Sequence, residues 1–179
     1  MTRGSVLAEA KATLDPMAAR ANIQLSIDAG ELESREVMAD RTRLAQILMN
    51  FGSNAIKYGR SGGSARFRVD GNENVARISV IDDGIGIALA KQKVIFQPFQ
   101  RAGQEAGPIE GTGIGLVITK RLAELMRGSV GFESTENSGS CFWIELPVHH
   151  LARPAALAPT PPRPSDESAL TAAEGPRYV

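Results

Sequence analysis

The chain has 179 residues, 42% of them hydrophobic, and 20 basic side chains offset 20 acidic ones to give a formal net charge of zero. That length suffices for one domain with a core, and the interspersed charges leave no basic footprint for nucleic acid or for an anionic membrane surface. Cys141 is the single cysteine, which excludes an internal disulfide and a cysteine-based zinc cluster and fits a reducing compartment; with no apolar run near membrane-spanning length and no signal-peptide segment, a cytoplasmic location is expected, any membrane anchor lying elsewhere in a parent chain.

Leu7, Ala10, Leu14, Met17 and Ala21 recur at three- and four-residue steps and predict a helix over residues 5–21, with Pro16 as the point for a bend. Residues 23–27 alternate like a strand, and Val37 with Met38 predicts another short one. Asp40 then stands as N-cap to a helix over residues 41–58, in which Gly52 lowers propensity without breaking the run. At 100° per residue, Asn50, Asn54, Lys57 and Tyr58 share one side beside an apolar stripe of Leu44, Ile47, Leu48, Phe51 and Ala55. A packed helix does not need two asparagines one turn apart, since asparagine is a middling helix former and an unpartnered buried amide costs free energy. An amide oxygen can ligate Mg²⁺, and the Lys57 ammonium can meet a phosphate as a point charge. The alternative is a solvated polar edge on an amphipathic helix.

Residues 61–63 are a turn, residues 65–69 alternate apolar and basic as a half-exposed strand, and residues 72–74 turn the chain into residues 75–81, a second strand expected to pair with the first as a hairpin. Asp82-Asp83-Gly84-Ile85-Gly86-Ile87 ends that strand in a glycine-punctuated loop. An ionised carboxylate at position 82 only accepts hydrogen bonds, and an adenine amine is a suitable donor; Asp83 reads as the turn residue. Residues 88–96 predict a short helix, and residues 97–110, with little periodicity, a long loop of the kind that serves as a lid. Gly111-Thr112-Gly113-Ile114-Gly115-Leu116 opens a helix expected to bury Ile114, Ile118, Leu122 and Leu125 and to end at Arg127-Gly128. Backbone N–H groups and the positive helix end would converge there on phosphates. The GxGxG spacing after a loop differs from the dinucleotide-binding GxGxxG after a strand, and no Gly-Lys-Ser/Thr follows as in a P-loop. Strands over residues 130–134 and 141–146 close the domain. From Ala152 onward the composition turns to Ala and Pro, which predicts a linker or disordered tail over residues 151–179; its PxxP spacing is a candidate peptide ligand.

In chain order stand a helix with NxxxNAxKY, DxGxG after a strand, FxPF, and GTGIGL opening a helix. This arrangement resembles the catalytic ATP-binding domain of sensor histidine kinases, in the GHKL ATPase superfamily, over roughly residues 5–148. The resemblance implies the α/β two-layer sandwich of the Bergerat type: a mixed, mostly antiparallel sheet of about five strands with three main helices on one face. It implies a lead-in helix over residues 1–21 from a dimerisation domain and an ATP-binding domain over residues 22–150. It implies ATP and Mg²⁺ as ligands, with Asn54 on the metal, Asn50 supporting metal and phosphates, Lys57 on phosphate, Tyr58 beside the adenine and Asp82 on its amine. Gly84 and Gly86 would shape the base pocket, with Ile87 beside them. Phe96 and Phe99 look like the hinge of the lid, a core role being the alternative, and Arg101 like a cation reaching the terminal phosphates, a surface charge being the alternative. Gly111, Gly113 and Gly115, with Thr112, Ile114 and Leu116, would receive the phosphates.

Hydrolytic members of the superfamily generally have a glutamate where Asn50 stands, and asparagine cannot act as a general base at neutral pH. The resemblance therefore implies transfer of the γ-phosphoryl group to a histidine of a separate helical dimerisation domain, with Asn50, Asn54, Lys57 and Arg101 as the catalytic set and a response regulator receiver domain as an indirect partner. His149 and His150, the two histidines of the chain, follow the ATP-binding domain and read as a surface pair instead of an acceptor. The alternative function is a non-catalytic nucleotide-binding regulator or an anti-sigma-like partner-binding module on the same fold.

Overall fold

The first helix, α1 (Arg3–Arg20), exists because Val6, Leu7, Ala10, Leu14 and Ala18 fall on one side and are buried. The structure, a computed structural model, describes residues 3–28, 30, 39–98 and 113–148, all within the first of the chain's two units, Met1–His149. The strand expected at Val37 and Met38, the pair His149 and His150, and the tail lie outside the described residues. α1 runs through Pro16 as one helix. Its inward stripe ends on Ala18, whereas the periodicity pointed to Met17, which is 39% exposed: a 3.6-residue repeat carries the stripe past Met17. Asn22, at φ 54°, stops the helix, and Ile23 donates its N–H to the Ala18 carbonyl at 2.9 Å.

Strand β1 (Gln24–Asp28) follows, then α2 (Arg41–Lys57), capped by Asp40, whose Oδ1 accepts the Arg43 N–H at 3.0 Å. β2 (Ser64–Gly71) and β3 (Val75–Asp82) form the expected hairpin, turned by Asn72, whose side-chain oxygen accepts the N–H groups of Asn74 and Val75. The helix anticipated over residues 88–96 shrinks to one turn, α3 (Leu89–Gln92), which buries none of its own side chains, while Ile95 beyond it enters the core. After α4 (Gly115–Leu125) come β4 (Ser129–Thr135) and β5 (Gly139–Pro147).

The sheet order is β1-β2-β3-β5-β4; β1 and β2 run parallel and every other neighbour is antiparallel. Alternation along the strands sends Phe67, Val69, Ile78, Val80, Ile144 and Leu146 into one core with α1, α2 and α4. On the opposite face Arg77 donates to Glu145 at 2.9 Å and lies 4.7 Å from the centroid of the Trp143 ring. The fold is thus the two-layer, five-stranded sandwich expected, with α1 within its core.

α4 is seated differently from its apolar periodicity. Thr119, Ala123 and the following Met126 are buried, while Ile118 and Leu125 are 42% and 51% exposed. Close approach to α2 favours small side chains on the facing side, and the large apolar ones are turned outward.

Gly52 is the corresponding device between α1 and α2. A Cβ there would overlap the buried Leu14 Cδ1 and come within 3.0 Å of Phe67 Cζ. Gly52→Ala should destabilise the domain by about 1–3 kcal/mol through overpacking, outweighing a gain of about 1 kcal/mol in helix propensity. A lowered urea midpoint with an unchanged m-value is the expected result; a raised midpoint would show that Leu14 yields without cost.

Candidate functional site

α2 carries Asn50 and Asn54, both half-buried, and Lys57, exposed, with Tyr58 half-buried at its C-cap. The Asn54 side-chain amide has no hydrogen bond among the described residues, so its oxygen remains available to a ligand. Asn50 is held: its Nδ2 donates to Thr119 Oγ1 at 2.8 Å.

Asp82 ends β3, with β2 on one side and β5 on the other. Its Oδ1 accepts the Gly84 N–H at 2.9 Å. Burial pushes its carboxyl from the ordinary 3.8 up to about 6, against the backbone N–H groups of Gly84 and Ser140, which pull it down; the Asp83 charge adds to the rise. Asp83 is exposed and accepts the Ser64 N–H at 2.9 Å and the Ser64 hydroxyl at 2.8 Å, which holds its carboxyl below the usual range and ties the end of β3 to the start of β2. Its role is that of the turn residue.

The loop after Asp82 is docked on the end of α2. Ile85 donates its N–H to the Tyr58 carbonyl at 3.0 Å, and Gly84 lies so close that a Cβ would overlap that same oxygen. Gly86, at φ 64°, turns the chain so that Ile87 donates to Ser134 Oγ at 2.8 Å, and Asn137 donates its N–H to the Ile85 carbonyl at 2.7 Å. The close approach these glycines permit in the structure is to protein backbone.

The second glycine motif reaches the same helix at Asn50. Gly113 has φ 69°, Ile114 and Leu116 are half-buried, and Gly115 opens α4 against Asn50: a Cβ on Gly115 would overlap Asn50 Oδ1. Both glycine segments therefore pack on α2, at Asn50 and at its C-cap Tyr58, eight residues apart in sequence. Phe99, Arg101, Gly111 and Thr112 lie outside the described residues. Phe96 packs on Phe132 at 5.9 Å between ring centroids, and Phe132 on Phe142, and Phe142 on Phe51, each at 5.6 Å, so a row of rings joins the start of the 97–110 loop to α2.

Among the described residues no three His, Cys, Asp or Glu side chains gather as a metal cluster, and no helix is long and apolar enough to cross a membrane. A cation held by the Asn54 oxygen would take its remaining ligands from water and phosphate, which suits Mg²⁺. Sequence reasoning missed Thr119. Its signal was a hydroxyl at the position in a helix where the repeat Leu116, Ala123, Met126 calls for an apolar side chain.

The sequence of residues 39–150 matches the family described as histidine kinase-, DNA gyrase B-, and HSP90-like ATPase. The sensor histidine kinase GacS of Pseudomonas protegens is 40% identical over 131 residues, which are 70% of this chain and 14% of that protein. Among solved structures, the nucleotide-free catalytic domain of histidine kinase ThkA has a TM-score of 0.71 at 28% identity, over 83% of this chain and 93% of that one. Full-length ShkA in complex with AMPPNP has a TM-score of 0.71 at 30% identity, over 80% of this chain and 29% of that one. The chain spans between 12% and 24% of the length of the curated relatives it matches.

The Asp82 environment sets a pH dependence. Folding raises this pKa, so the native state keeps a proton that the unfolded chain releases between about pH 4 and 6. The stabilising contribution of the neutral acid is complete below the unfolded value and is lost as pH rises through about 6. Asp82→Asn, compared with the parent chain in urea midpoints from pH 4 to 7.5, should gain relative stability as pH rises; a pH-independent difference would contradict the raised pKa.

Proposed function

The chain belongs to the histidine kinase-, DNA gyrase B- and HSP90-like ATPase family, and from that premise we propose that it is the ATP-binding catalytic domain of a sensor histidine kinase. The observation that carries this is the convergence on α2: Tyr58 meets the Asp82 loop through its carbonyl, and Asn50 meets the start of α4 at Gly115. An acid at the end of β3, an amide oxygen without a hydrogen bond among the described residues and a helix N-terminus opened by glycine are thereby tied to one helix, which supports a single nucleotide site.

In this reading Asp82 accepts the adenine amine, Gly84, Gly86, Ile87 and Tyr58 flank the base, and Lys57 meets phosphate. Asn54 supplies an amide oxygen to the metal and Asn50 supports metal and phosphates. Gly113, Gly115, Ile114 and Leu116 bring the α4 end to the phosphate chain, with Gly111, Thr112, Phe99 and Arg101 completing the lid side. Mg²⁺, when bound with ATP, supplies neutralisation of charge on the transferring phosphoryl group. With asparagine at position 50 no side chain there can activate water, which favours transfer to an imidazole already nucleophilic when neutral. The acceptor would be a histidine on a separate helical domain, and a receiver domain would take the group onward. The catalytic unit runs from α1 through β5, because α1 fills the core against Gly52; residues 151–179 are a linker or tail. A cytoplasmic site fits the single cysteine.

Calorimetric titration of the chain with Mg-ATP should give binding that falls by about tenfold or more in both Asn54→Ala and Asp82→Ala, each of which removes a charge-assisted contact. Unchanged affinity in both variants rejects the site. Supplying a histidine-bearing helical dimerisation domain with the chain and ATP should yield phosphohistidine; tight binding without transfer to any such domain would favour the non-catalytic regulator.

A further inference from the structure

Thr119 and Ser79 are the two buried polar side chains among the described residues, and Thr119, 1% exposed, is turned toward a proposed ligand-binding residue. It lies on α4 one turn after Gly115, and the pair grips the Asn50 amide: Oγ1 accepts Nδ2 at 2.8 Å, and the missing Cβ of Gly115 leaves room for Oδ1. We propose that Thr119 is a positioning residue that fixes which end of the Asn50 carboxamide faces the metal and phosphates. The inference rests on the nucleotide-site reading above and deepens it.

The two ends of a carboxamide are nearly equal in size and opposite in function. An amide oxygen attracts a cation; an amide NH₂ repels one. Rotating the terminal torsion by 180° exchanges them, and that torsion is broad and roughly two-fold, so packing alone does not choose. The Thr119 oxygen accepts Nδ2 through a lone pair. Burial keeps water from competing for that bond. With Nδ2 so engaged, Oδ1 is the end left beside Gly115 at the start of α4, where the phosphates are proposed to lie. Gly115 and Thr119 thus have complementary tasks: one makes room for the amide and the other orients it.

The test compares the 179-residue chain with Thr119→Val, which keeps the shape and removes the hydroxyl, and Thr119→Ser, which keeps the hydroxyl. In the nucleotide-free protein the Asn50 side-chain amide protons, followed by nitrogen-edited NMR, should be protected from exchange in the parent and in Thr119→Ser and lose that protection in Thr119→Val. Affinity for ATP is then measured with EDTA and with Mg²⁺. The gain on adding Mg²⁺ should fall by about tenfold in Thr119→Val and be retained in Thr119→Ser, while affinity in EDTA changes by less than about twofold. Retained protection and an unchanged Mg²⁺ gain in Thr119→Val would overturn the proposal, as would a loss in Thr119→Ser equal to that in Thr119→Val, which assigns the effect to packing of the methyl group. Asn50→Ala separates the two levels of inference. If it abolishes the Mg²⁺ gain while Thr119→Val does not, the site reading stands and the Thr119 role alone fails; if it leaves the gain intact, both fall.

Discussion

The hydrogen bond from the Ile85 N–H to the Tyr58 carbonyl holds the rest of the site in relation to itself. It forms where α2 has run out of its own partners, because the last carbonyls of a helix face no N–H further along. A loop that satisfies one of those carbonyls is thereby fixed against the helix, and Gly84 permits the approach since a side chain would collide with the same oxygen. Asp82, two residues upstream, inherits its position from this contact and from the end of β3. The groups proposed to face a nucleotide are consequently placed by backbone geometry, which tolerates little displacement.

The approach of the neighbouring helices to α2 is set by small residues. Gly52 lets α1 approach, Gly115 lets α4 approach, and Ala123 and Thr119 continue the close face of α4. Close packing of helices on both flanks brings the polar side of α2 into partial burial, which raises the cost of every unpaired polar atom there. Asn50 meets that cost through Thr119, and Asp82 meets it in part by a carboxyl pushed up to about 6. Asn54 leaves its amide without a hydrogen bond among the described residues, and that residual cost is what a bound nucleotide and its cation would offset. A site of this kind is expected to be less stable empty than filled.

Much of the fold was legible from local pattern. The alternation of residues 65–69 and 75–81 placed two strands, the Asp40 cap placed the start of α2 to the residue, and Asn72 marked the hairpin turn, because each depends on neighbours in sequence. The misreadings share a cause. Met17, Ile118 and Leu125 fit an apolar period yet face outward, since which stripe of a helix is buried depends on what packs against it: α1 brings Leu14 onto Gly52 of α2, and α4 brings Gly115 and Thr119 onto Asn50.

For the site, the chain alone determined the chemical inventory: two carboxamides one turn apart, an acid at a strand end and two glycine motifs. Those properties belong to residue types and spacings, and no packing alters them. What tertiary structure decided is the pairing of these parts across long separations, Asn50 with Thr119, Tyr58 with Ile85, Gly115 with Asn50. Contacts between residues tens of positions apart arise from how helices and sheet close on a common core, and a hydroxyl in an otherwise apolar stripe has no visible partner until that closure supplies one.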